Sequence, residues 1–169
     1  MWKHTGKTRP DFAVEPGPDQ ESVWDYPRPP ALVTTDELVE VRVADLLIAS
    51  TRSALRVLET ASPPTYYIPK ADIQWDTLVE VAQSSFCEWK GRASYFADAS
   101  APQIAIAWLY ANPSQRFAQI DGHASFYPSR AACFVNGEGV RPQPGEFYGG
   151  WITDRVVGPF KGEPGTGHW

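Results

Sequence analysis

Short runs of alternating apolar and polar residues, each stopped within a few positions by proline, glycine or a turn pair, leave this chain few ways to fold. Leu38-Val39-Glu40-Val41-Arg42-Val43 alternates as a half-buried strand does, and Leu46-Leu47-Ile48-Ala49-Ser50 follows after only Ala44-Asp45, which is hairpin spacing. Ser53–Thr60 fits a strand or a helical turn almost equally, and strand is favoured because Ser62-Pro63-Pro64 stops it and β-branched, aromatic Thr65-Tyr66-Tyr67-Ile68 comes next. Ile104–Tyr110 is a further strand, with Ile104, Ile106, Trp108 and Tyr110 expected on one face. Ala124–Tyr127 makes a short one. Cys133–Val140 is a hairpin about Asn136-Gly137, since both central residues of a type I′ turn need positive φ. Asp76–Ala82, with Asp76 as N-cap, is the one helix candidate.

Sixteen prolines and 13 glycines stiffen the connections, while 43% hydrophobic content with seven Trp, seven Tyr and eight Phe supplies a core. At 169 residues the chain suits one domain. The expectation is an all-β fold of short antiparallel strands over residues 21–169, preceded by a mobile arm at 1–20 and ending in an irregular tail. Trp24 and Tyr26 should pin Glu21–Pro30 in extended form, since its three prolines bar a helix.

A net charge of −5 and a pI near 5.2 argue against a nucleic-acid partner. No apolar run reaches the roughly 20 residues of a membrane span, and Met1–Lys7 lacks a signal peptide's apolar stretch, so a cytoplasmic protein is expected. Cys87 and Cys133 are then read as free thiols rather than a disulfide. Two cysteines without a Cys-x-x-Cys pair, and no histidine at ligand spacing, point to no metal and no other cofactor.

Chemistry concentrates in Cys87-Glu88-Trp89-Lys90-Gly91-Arg92-Ala93-Ser94-Tyr95-Phe96. Taken as one strand, it puts Cys87, Trp89, Gly91, Ala93 and Tyr95 on one face, with Gly91 marking a bulge that turns Lys90 toward them. Lys90, desolvated among aromatics, would have a lowered pKa suited to a nucleophile or base; its plainer role is a surface lysine. Cys87 is a nucleophile only if a base lowers its pKa, and otherwise a small buried hydrophobe. Tyr67, Tyr95, Trp108 and Tyr110, with Trp89, offer flat rings and polar tips for a ligand, or else simply core. Arg52 and Glu59 are the charged residues placed to orient a polar ligand, or to form a surface ion pair. The glycines of Gly158–Gly162 and Gly165–Gly167 lack the strand and helix a phosphate loop needs, and read as tail.

Tyr66-Tyr67-Ile68-Pro69, Cys87-Glu88-Trp89-Lys90-Gly91 through Tyr95, Ala107-Trp108-Leu109-Tyr110 and Phe126-Tyr127, in that order, resemble domain-of-unknown-function family 427, labelled nucleotidyltransferase domain 9. Trp24–Pro30 and Phe147–Trp151 look like the extensions of its longer members, so that the resemblance runs over roughly residues 21 to 167. The resemblance implies a β-tent fold, an architecture shared with the thalidomide-binding domain of cereblon and with methionine sulfoxide reductase B. It implies no defined reaction, and the acidic pairs of a metal-dependent nucleotidyl transfer site are missing. Three readings stand: a small-molecule binder with an aromatic-lined pocket edged by Lys90 and Cys87; an enzyme, transferase or hydrolase, using either residue; or a peptide-docking module.

Overall fold

The computed structural model describes all 169 residues, and strands dominate it. In chain order they are β1 (Glu21–Ser22), β2 (Ala31–Thr34), β3 (Val39–Val43), β4 (Leu46–Thr51), β5 (Leu55–Leu58), β6 (Thr65–Pro69), β7 (Leu78–Cys87) and β8 (Gly91–Asp98). There follow β9 (Ala105–Tyr110), β10 (His123–Phe126), β11 (Ala132–Val135), β12 (Glu138–Gly139), β13 (Arg141–Pro142), β14 (Trp151–Ile152) and β15 (Val156–Val157). The fold is all-β, as its alternation predicts.

A seven-stranded sheet runs β2-β5-β6-β10-β9-β8-β7, and a four-stranded sheet runs β12-β11-β3-β4; both are antiparallel throughout. Two-stranded pairs, β1 with β15 and β13 with β14, tie the flanking segments down. Ala44 and Asp45 both take positive φ, so this pair makes the primed turn that closes β3 on β4 even without glycine. Asn136 and Gly137 do the same between β11 and β12.

The two main sheets face each other across a largely aliphatic core of Val39, Val41, Ile48, Ile68, Leu109 and Val135, with Phe126 and Trp151 sealed among them. The opposite face of the large sheet carries a second buried cluster of Leu55, Val57, Tyr67, Tyr95, Trp108 and Tyr110, closed by Phe117 and Ile120 from the 3-10 segment Gln115–Ile120. A third, smaller cluster gathers Val23, Trp24, Tyr26, Ala61 and Val156.

Four expectations change. Asp76–Ala82 is not a helix: Trp75–Thr77 is a single 3-10 turn, and Leu78 opens the ten-residue β7. Val79 and Val81 are β-branched and β7 lies at the sheet edge, where exposed polar positions imitate a helix's solvent face. Cys87–Phe96 is not one strand but a hairpin, with Cys87 ending β7, Glu88–Lys90 turning, and Gly91 opening β8 opposite Cys87. Register slips between Phe96 and Ala97, which pair with Ala107 and Ala105, so Ile106 is squeezed out of step and packs in the inter-sheet core, away from Trp108 and Tyr110. Ile104 precedes the strand and is exposed. Finally, Val23–Asp25 is a 3-10 turn capped by Ser22 rather than extended chain, although Trp24 is wholly buried and Tyr26 nearly so.

Residues 1–20 carry neither strand nor helix. They lie against the domain: Arg9 binds Asp25 at 2.8 Å, Phe12 stacks on Trp169 with centroids 5.2 Å apart, and the Val14 amide donates to Gly158. No helix is long and apolar enough to cross a membrane.

Candidate functional site

The β7–β8 hairpin places the lysine. Gly91 sits at φ +105°, a conformation that side chains resist, and this lets the chain reverse within Glu88–Lys90. Ser114 braces the turn from outside, its hydroxyl donating to the Trp89 carbonyl at 2.6 Å and its amide to the Lys90 carbonyl at 3.2 Å. The Lys90 side chain folds back over the sheet, and its Nζ lies 5.7 Å from the centroid of the Tyr110 ring. The residue is half-buried, with its ammonium crowded by the surrounding side chains.

The rings beneath it follow from strand register. Tyr95 on β8 pairs with Trp108 on β9, and Trp108 pairs with Ser125 on β10. Tyr67 stands beyond Ser125 on β6, so a row of side chains crosses one face of the sheet. The Trp108 indole N–H donates to the Tyr67 hydroxyl at 3.1 Å, spanning the small Ser125 between them. Trp108 also packs on Tyr127 with centroids 4.5 Å apart, and Tyr67 on Tyr110 at 6.4 Å. The Tyr95 and Ser85 hydroxyls share a 2.7 Å hydrogen bond.

Burial pushes the phenol pKa values of Tyr67, Tyr110 and Tyr127 above the ordinary tyrosine range, so at neutral pH these hydroxyls are protonated. Lys90 goes the way opposite to the one expected. Burial pulls its pKa down, but the Tyr67 hydroxyl, the Cys87 thiol and the Glu59 carboxylate together push it above its usual value. The group is an ammonium at neutral pH, not the free amine that a nucleophile or base requires.

Lys90, Cys87, Tyr67, Tyr95, Trp108 and Tyr110 therefore come together, with Trp89 packed beside them. Glu59 is near enough to act on Lys90 electrostatically, but its carboxylate is held by Arg28 at 3.3 Å. Arg52 stands apart, because neighbours in motif order are not neighbours in space. It is exposed, its guanidinium reaches the Asp36 carbonyl, and it lines a separate open cleft of about 580 Å³ with Thr34–Glu37, Ser53, Ala54 and Arg155. Another cleft, about 240 Å³, lies between β4 and Ala71–Gln74. Cys133 is buried in the inter-sheet core, where burial pushes its thiol pKa up; neither cysteine is in a disulfide. No group of three His, Cys, Asp or Glu side chains is placed to hold a metal.

Sequence reasoning missed the contribution of the flanks. Gly149 rests against the Trp108 ring so closely that a Cβ there would sit 2.3 Å from it, which makes glycine necessary at that point. Lys161, Nζ 5.7 Å from the Tyr148 ring and 4.8 Å from Trp2, feels Glu59 from the other side, and its pKa is lowered by burial and by Arg28. Ser125 was likewise unmarked: a serine inside a short strand carries no signal of its own.

An all-β domain with a tyrosine-rich buried face and an inward lysine is thus the class that fold and site define. The profile of the family described as "Domain of unknown function (DUF427)" matches residues 31–137, and the chain belongs to that family. The match is narrower than the expected span of residues 21 to 167: Trp24–Pro30 and Phe147–Trp151 fall outside it, whereas Tyr67, Cys87, Lys90, Tyr95, Trp108, Tyr110 and Ser125 fall within. No curated protein matches the chain.

Proposed function

We propose that this protein binds a small molecule against the tyrosine-lined face of the large sheet, with Lys90 and Cys87 at the edge of the site. The carrying observation is the inward Lys90 side chain, whose ammonium stands over the Tyr110 ring beside Tyr67 and Cys87. Flat rings with hydroxyl tips and one fixed charge are what a small-ligand site uses for contact and orientation. Trp108 and Tyr110 are each only 7% exposed, so a ligand enters by shifting the Phe147–Gly150 segment that rests on Trp108. Catalysis by Lys90 as nucleophile or base is the poorer reading, because the amine is held protonated.

Titration of the 15N-labelled protein with a panel of aromatic fragments tests this. Amide shifts should concentrate on Gly91, Ala93, Tyr95, Trp108 and Tyr110. Shifts confined to the cleft at Thr34–Glu37 and Arg52, or none at all, contradict it. A peptide-docking reading has one observation in its favour: β7 is a ten-residue sheet edge with Phe86 75% exposed. Peptide-induced shifts along Val79–Phe86 would favour it instead.

A further inference from the structure

Charge accounting at the same site narrows the kind of ligand. A charge taken out of water is costly unless an opposite charge or hydrogen bonds compensate it. Lys90 makes no salt bridge, whereas Arg9, Arg28, Arg56, Arg141 and Arg155 all do. The carboxylate that acts on it most, Glu59, is already committed to Arg28. The rings around the ammonium end in phenolic hydroxyls that remain protonated and can donate.

A second observation points to the same space. Ser125 is 0% exposed, and its hydroxyl has no hydrogen-bond partner, which is rare for a buried polar group. Its strand neighbours Ala124 and Phe126 face the inter-sheet core, so Ser125 faces the other way, between Trp108 and Tyr67. A cation with no salt bridge, near only the Cys87 thiol and the phenols, and a hydroxyl with no partner thus lie on the one face that is also lined with rings.

We propose that the site takes a small organic carboxylate with a flat apolar body: the carboxylate pairs with Lys90, the body lies against Tyr67, Trp108 and Tyr110, and a ligand polar atom meets Ser125. This rests on the small-molecule reading above and adds the ligand's chemistry to it. A phosphate fits less well. Its multiple charges are met by arginine forks, main-chain amide nests or helix N-termini, and this site offers one point charge and hydroxyls on a protein of net charge −5. Glu59 nearby further favours a ligand carrying a single negative charge.

The test uses the full chain and three probes: benzoate, benzamide and inorganic phosphate, each titrated by calorimetry and by 15N amide shifts. Benzoate is expected to bind with shifts at Gly91, Ala93 and Tyr110, at least about ten-fold more tightly than benzamide, which has the same shape without the charge. Phosphate is expected to leave those amides unmoved. Lys90→Met should bring benzoate down to the benzamide level, and Ser125→Ala should weaken benzoate by a few-fold. Lys90→Gln repeats the charge removal with a polar side chain, should Lys90→Met disturb the fold. Equal binding of benzoate and benzamide, or phosphate binding more tightly than benzoate, overturns the carboxylate assignment and leaves the small-molecule reading standing. Failure of both ring compounds to bind overturns both.

Discussion

The two faces of the seven-stranded sheet are made by the same strands, yet they are furnished for different work. Toward the small sheet, β6, β9 and β10 present Tyr66, Ile68, Ala107, Leu109, Ala124 and Phe126, and the only thiol there is the inert Cys133. On the other face the same strands present Tyr67, Trp108, Tyr110 and Ser125, joined by Tyr95 from β8 and by Lys90. Both faces are buried, so hydrophobicity alone does not separate them. The separation lies in polar atoms: the inter-sheet face has few, and they are partnered, the Tyr66 hydroxyl donating to Glu37, the Cys133 thiol to the Ala131 carbonyl and the Trp151 indole N–H to the Phe126 carbonyl, whereas the other face collects several hydroxyls and an ammonium. Polar groups in an interior cost stability unless paired. Their accumulation on one side is what the proposed ligand site draws on.

The sharpest way to break this comparison is to empty the aliphatic side. Trp151→Ala should cost about 3–5 kcal/mol of unfolding free energy, read from a denaturant titration, because the ring is wholly buried and its N–H bond is lost with it. The shifts caused by an aromatic fragment should survive in whatever fraction remains folded. A loss below about 1 kcal/mol would mean that this side is not the structural one.

Tyr67→Phe sharpens it from the other side. The substitution keeps the ring and removes the acceptor of the Trp108 N–H, leaving a buried donor unpaired, at a cost of about 1–3 kcal/mol. The smallest effect belongs to the thiols. Cys87→Ser should change stability by less than about 0.5 kcal/mol, since the residue is only half-buried. Iodoacetamide should label Cys87 alone in the folded chain and reach Cys133 only on unfolding. Labelling of both thiols at equal rates would remove the distinction between the faces.

Most of the strand framework was legible because period-two alternation and turn pairs are local. Leu38–Val43, Leu46–Ser50, Tyr66–Ile68 and the Asn136-Gly137 hairpin all lie where short-range patterning puts them. The helix at Asp76–Ala82 failed for a local reason too, since an edge strand need bury little and so loses the alternation that identifies it. The Cys87–Phe96 hairpin was hidden because Glu88-Trp89-Lys90 contains no glycine or proline, and its turn depends on Gly91 one position later. At the site, residues on adjacent strands were recoverable from their facing positions. Arg52 was misplaced and Lys161, Tyr148 and Gly149 were overlooked, because convergence of distant segments leaves no trace in spacing. The direction of the Lys90 shift was unreadable for the same reason: burial by itself predicts a fall, and only the placement of Tyr67, Cys87 and Glu59 reverses it.

The account turns on that lysine. A pKa raised in the folded state means that folding favours the protonated form, so Lys90 contributes stability fully below the unfolded lysine value and loses it as pH rises through the folded one. Titrating the Lys90 side chain by NMR, with 13Cε and 15Nζ shifts assigned by comparison with Lys90→Met, reads this directly. The prediction is a midpoint above the ordinary lysine value of about 10.4 and ring-current displacement of the Lys90 signals by Tyr110. A midpoint at or below that value, with shifts like those of solvent-exposed lysines, would contradict the inward ammonium and with it the site.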